Sequence, residues 1–65
     1  MNIKLNGTIQ EVNSSNLKDF VKEKSLIEEG LILVKNGEVV KKENWENCTL
    51  IENDELDVLS LVAGG

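Results

Sequence analysis

A chain of 65 residues has room for one small domain, which buries only about 60% of the surface its unfolded chain exposes, so a small core must carry the fold. The apolar content of 40% fits a folded chain. The net charge of −5, with seven lysines and no arginine, argues against nucleic acid as a partner, because phosphate binding needs a basic patch and base readout favours arginine forks.

Histidine is absent and Cys48 is the single cysteine. An intramolecular disulfide, a cysteine zinc cluster and the usual general base are therefore excluded. The acidity suits docking on basic surfaces of protein partners. Met1 leads into polar–apolar alternation rather than a signal peptide. No apolar run approaches the roughly 20 residues that span a bilayer. The expectation is a cytoplasmic protein with no membrane or nucleic-acid partner and monomeric when free.

Asn2-Ile3-Lys4-Leu5-Asn6 alternates with the period of a half-buried strand, and Asn6-Gly7 is a hairpin signal because both residues tolerate positive φ. Thr8 to Val12 reads as the returning strand. Ile9 and Val12 differ in parity, so the strand either bulges or ends early. Asn13 to Asn16 is a turn and helix-start cluster. Ser14, Ser15 or Asn16 could cap the helix, and Asn16 is favoured because Asp19 falls three residues later. Leu17, Phe20, Val21 and Lys24 share one helical stripe, opposite Lys18, Lys22 and Glu23. The helix is predicted to end near Lys24-Ser25, with Leu26 and Ile27 packing beneath its exit.

Leu31 to Val34 is a short apolar run, consistent with a strand buried on both faces. Asn36-Gly37 repeats the turn chemistry and Glu38-Val39-Val40 continues as a short strand. Lys41 to Asn47 is polar apart from Trp45 and is expected to be a loop with one helical turn. Glu52 to Glu55 is an acidic, solvated turn lacking the spacing and glycine of a calcium loop. Leu56 to Leu61 is the last strand. Two hairpins supply antiparallel pairs and one helix must cover one sheet face, which gives an α+β layer.

This element order, with Ile3-Lys4-Leu5-Asn6-Gly7, Asn16-Leu17, Phe20-Val21, Val34-Lys35-Asn36-Gly37, Val39-Val40, Glu43-Asn44-Trp45, Asp54-Glu55-Leu56 and Leu61-Val62-Ala63-Gly64-Gly65, resembles the ThiS/MoaD family of ubiquitin-like sulfur carriers. The resemblance covers nearly the whole chain. The Trp45 segment and the Val-Ala-Gly-Gly ending are most similar to the ThiS group of thiamine biosynthesis. The fold it implies is a β-grasp domain: a mixed sheet of four to five strands packed on one main helix over residues 1–61, followed by a flexible tail, 62–65.

The resemblance also implies a chemistry. A ThiF-type adenylating enzyme, using ATP and magnesium in its own site, joins the Gly65 carboxylate to AMP. A persulfide donor then replaces AMP with sulfur. The resulting C-terminal thiocarboxylate supplies sulfur for thiazole formation in the thiazole synthase ThiG. Gly65 carries the sulfur, while Gly64, Ala63 and Val62 are required for activation. The chain binds no cofactor or metal and has no catalytic residue, so it is a co-substrate rather than an enzyme. The need for activation is physical: an α-carboxylate titrates near 3.3–3.7 and is an anion at neutral pH, hence a poor acyl donor. Four extended residues span at most about 13–14 Å, and glycine lets backbone and channel walls approach closely.

In the last strand Leu56 and Val58 share one face, and Asp57, Leu59 and Leu61 the other. With the first pair toward the helix, Leu59 and Leu61 either form a partner-docking patch or pack on a neighbouring loop. Trp45 is expected in the core. Cys48 has a structural role, since Glu46 and Glu52 flank it and no cation is evident nearby. Glu28-Glu29 is surface charge. Alternatives to the thiamine carrier are a MoaD-like carrier for molybdopterin or another pathway, and a ubiquitin-like modifier conjugated through Gly65. A stand-alone enzyme is disfavoured by the absence of histidine and of a phosphate loop.

Overall fold

The computed structural model describes residues 1–61. In chain order the elements are β1 (Asn2–Leu5), β2 (Thr8–Glu11), α1 (Leu17–Glu23), β3 (Leu31–Lys35), β4 (Glu38–Val40), a short 3-10 turn at Lys42–Asn44, and β5 (Glu55–Ser60). The strands form one sheet in the order β2-β1-β5-β3-β4. β5 pairs parallel with β1 and antiparallel with β3. The last strand thus occupies the centre, with α1 packed on one face, the expected β-grasp arrangement.

Local chemistry explains each element. Asn6 and Gly7 adopt φ of 47° and 86°, and Asn36 and Gly37 adopt 50° and 85°. Positive φ at both central residues is what a type I′ hairpin requires. Asn16 caps α1, its side-chain oxygen accepting the Asp19 N–H at 2.8 Å. Leu17, Phe20 and Val21 then face the core. They meet Ile3, Val12, Leu33, Leu56, Trp45 and Leu50, with Leu5, Leu26, Leu31, Val40, Cys48 and Val58 packed around them. Each fully buried Leu, Val, Ile or Phe contributes roughly 1.5–3 kcal/mol. Trp45 is a core residue, and its Nε1–H donates to the Val40 carbonyl at 2.9 Å.

Four readings are resolved or revised. β2 ends early rather than bulging: its register with β1 is unbroken from Leu5↔Thr8 to Asn2↔Glu11, and Val12 turns inward after the strand stops. β3 is not buried on both faces. Only Leu33 is fully buried, because one helix covers one face, and Ile32 and Val34 stay half-exposed on the other. Leu26 packs beneath the helix exit as expected, but Ile27 points outward, 59% exposed. The acidic turn is not wholly solvated, since Asp54 is buried.

Candidate functional site

β5 carries the residues singled out at the end of the chain, and the rest of the fold fixes its position. Its inward side chains, Leu56 and Val58, pack on the core under α1. Its outward ones face away from the helix. Register places Leu59 opposite Ile32, Asp57 opposite Val34, and Val34 opposite Val39. Leu59, Ile32, Val34 and Val39 therefore share the uncovered face on three adjacent strands. Leu59 is 54% and Leu61 72% exposed. Packing of this pair into a loop is not what the structure shows. Leu61 lies just past β5, its N–H donating to the Gly30 carbonyl at 2.9 Å. Gly65, the residue expected to be adenylated, and Val62, Ala63 and Gly64, expected to be required for its activation, lie outside the described residues.

The start of β5 is organised by Asp54. Its carboxylate accepts the Ile51 N–H at 2.9 Å and the Asn36 side-chain amide at 3.0 Å. Lys35 Nζ lies 3.9 Å away, donating primarily to the Thr49 carbonyl at 2.8 Å. A buried carboxylate is tolerated when its oxygens are satisfied in this way. Its role was missed because the sequence offers only an acidic run, with no sign of which member turns inward.

Two further carboxylates are perturbed. The Ser14 hydroxyl, buried beside the helix, donates to Glu23 and holds that carboxyl below the ordinary range, aided by the Asn13 N–H and by Lys24, with partial desolvation opposing. Glu28 is likewise lowered, chiefly by Lys42 at 3.1 Å and then by Lys18 at 3.4 Å. Glu28 is thus a paired residue rather than plain surface charge. Beside it, Lys18, Lys42, Glu43 and Glu46 line an open depression. Both cationic residues already have a carboxylate partner in Glu28, which makes this a solvated charge cluster.

Cys48 is half-buried against the core, with Lys35 Nζ 3.7 Å from Sγ. A cation does approach it, from β3, which sequence adjacency could not reveal. Among the described residues no group of three His, Cys, Asp or Glu side chains could hold a metal ion. No helix among them is long and apolar enough to cross a membrane.

A family model described as the ThiS family matches residues 3–65. The chain belongs to the ThiS family. Its structure is similar to the crystal structure of a thiamine biosynthesis protein (ThiS) from Geobacter metallireducens, with a TM-score of 0.85 and 25% identity over 100% of both chains. The solution structure of a thiamine biosynthesis protein from Geobacter metallireducens shares the fold, with a TM-score of 0.81 and 23% identity over 100% of this chain and 88% of the other. No curated protein matches the sequence. The match of this ThiS-family chain begins in β1 and runs past β5 to include Gly64 and Gly65.

Proposed function

We propose that this protein is a sulfur carrier of thiamine biosynthesis whose Gly65 carboxyl is the cargo site. The observation that carries the reading is the ThiS-family match running unbroken from β1 through Gly65. In this reading residues 1–61 form the presenting domain and 62–65 the tail. A cytoplasmic ThiF-type enzyme with its own ATP and magnesium brings the Gly65 carboxylate to the α-phosphate of ATP. Pyrophosphate leaves and a mixed acyl-phosphate anhydride forms. The terminal sulfur of a persulfide donor attacks the acyl carbon and expels AMP, forming an acyl disulfide. A thiol of the sulfur-donating machinery then cleaves its S–S bond, becoming a disulfide itself and leaving the terminal thiocarboxylate, a soft nucleophile suited to building a thiazole ring in a ThiG-type synthase.

The domain contributes presentation. β5 is held between β1 and β3, so Leu61 leaves the sheet at a defined place. Leu59 and Leu61, with Ile32, Val34 and Val39, supply an apolar face beside that exit on which the partners dock. Gly64 gives clearance in the partner's channel, and a side chain at Gly65 would crowd the carbonyl where the tetrahedral intermediate forms. The chain is a co-substrate, and catalysis belongs to its partners.

Mass spectrometry after co-expression with a ThiF-type enzyme and a persulfide donor tests this directly. A carrier gains the mass of one oxygen-to-sulfur exchange at Gly65. Conjugation to lysine without that gain would instead establish a protein modifier. Gly65→Val and deletion of Gly65 are expected to leave the fold intact and abolish ATP–pyrophosphate exchange, and unchanged exchange would refute the tail's role.

A further inference from the structure

We propose that Asn6 is a positioning residue for delivery of the tail: its side chain fixes the end of β5 from which the tail departs. The inference rests on the carrier reading. β1 accompanies β5 only through Lys4↔Glu55 and Leu5↔Leu56. Lys4 N–H donates to the Asp54 carbonyl at 2.8 Å and Asn6 N–H to the Leu56 carbonyl at 2.9 Å, the slanted pattern of a parallel ladder. The next bond in that pattern would run from the Val58 N–H to the main-chain carbonyl of residue 6. The main chain cannot supply it, because Asn6 at φ 47° has turned into the β1–β2 hairpin.

The side chain supplies it instead. Asn6 Oδ1 accepts the Val58 N–H at 2.7 Å, and Nδ2 faces the Val58 carbonyl at 3.4 Å. One carboxamide thus takes the place of the peptide that β1 would have presented had it continued. Its orientation follows from its partners, since an amide oxygen must face an N–H. Val58 is three residues before Leu61, and on its other side it is paired with Leu33 of β3.

Asn36 provides a natural control. Its main chain donates to the Glu55 carbonyl at 2.7 Å and its Oδ1 accepts the Glu55 N–H at 2.9 Å. The same turn chemistry therefore clamps β5 at its opposite end, away from the tail. Both asparagines serve the sheet, but only Asn6 acts where the tail leaves. Its function is to narrow the directions in which the Gly65 carboxyl is offered, so its loss acts on productive alignment rather than on docking.

The test compares Asn6→Gly with Asn36→Gly, since glycine keeps the positive φ while deleting the amide. Hydrogen exchange of the full chain is read at the Val58 amide, and ATP–pyrophosphate exchange with a ThiF-type enzyme is resolved into kcat and KM for the carrier. Asn6→Gly is expected to speed Val58 exchange and to lower kcat about five-fold, the worth of one ordinary hydrogen bond, at unchanged KM. Asn36→Gly is expected to keep wild-type kcat. Asn6→Asp is the second variant, keeping the acceptor but setting an oxygen against the Val58 carbonyl, and it should lower kcat in the same direction. Wild-type kcat in both Asn6 variants, or an equal loss in Asn36→Gly, overturns the proposal. A wild-type chain that supports no exchange at all refutes the carrier reading itself, and the Val58 exchange then still decides whether the clamp exists.

Discussion

Replacing Leu59 with glutamate separates a docking surface from a core. Leu59 is 54% exposed, so the substitution forfeits roughly half of the 1.5–3 kcal/mol that full burial of a leucine contributes, about 1 kcal/mol. The new carboxylate shares a face with Asp57 two positions away, a separation of about 7 Å along a strand. Repulsion across that distance in water is about 0.6 kcal/mol. The sum, below about 2 kcal/mol, is within the margin of a domain stable by about 5 kcal/mol. Leu56→Glu lies on the same strand with the opposite parity, in the core, where a full leucine burial is lost and an unpaired carboxylate is buried. That variant should not fold. Urea unfolding followed through buried Trp45 reads stability, and titration calorimetry against the adenylating partner reads docking. Leu59→Glu is expected to lower the midpoint modestly at unchanged slope and to weaken the complex about ten-fold or more. A stability loss above about 4 kcal/mol would refute the assignment of Leu59 to a free face, and unchanged affinity would refute its docking role.

Other perturbations test the remaining parts. Asp54→Ala leaves the Ile51 N–H and the Asn36 amide without their acceptor at a buried site, and should cost about 2–3 kcal/mol in urea unfolding; a loss under about 0.5 kcal/mol would show the network to be dispensable. Glu23 is held below its unfolded value, so its contribution to stability is present above about pH 4.3 and is lost as pH falls through the lowered folded value. Ser14→Ala removes the largest cause of that lowering and should flatten the acid limb of the stability–pH curve; an unchanged limb would assign the acid sensitivity to other groups. Gly65→Val should unfold at the wild-type urea concentration, because the core and the ladder among the described residues are built from residues 2–60.

The elements themselves were legible because their signals are local. Two Asn-Gly pairs demanded type I′ turns, Asn16 and Asp19 marked a helix start, and the Leu17, Phe20, Val21 stripe fixed which face is buried. The parity of β5 separated Leu56 and Val58 from Leu59 and Leu61, and the structure keeps that division. The Gly64-Gly65 ending and the order of elements were enough to suggest the family. None of this needed a three-dimensional contact, since turn type, cap and side-chain alternation are set within a few residues of chain.

Only the tertiary structure decided what non-neighbours do to each other. That β5 lies between β1 and β3 is a long-range pairing, and no local pattern specifies it. One helix among the described residues covers one sheet face, which is why the apolar run of β3 is half-exposed, and the β3–β5 pairing aligns Ile32 with Leu59 on the other. The fold also brings Lys35 to Cys48 and Asp54, and it aims the two turn asparagines at β5. In sequence Asn6 and Asn36 are merely residues that tolerate positive φ. In the fold the same backbone conformation frees each carboxamide to bond a strand far away in the chain. The sequence by itself thus marked where the chain turns and which terminal group to propose as the cargo site. Packing and pairing determined how the strand leading to that group is held.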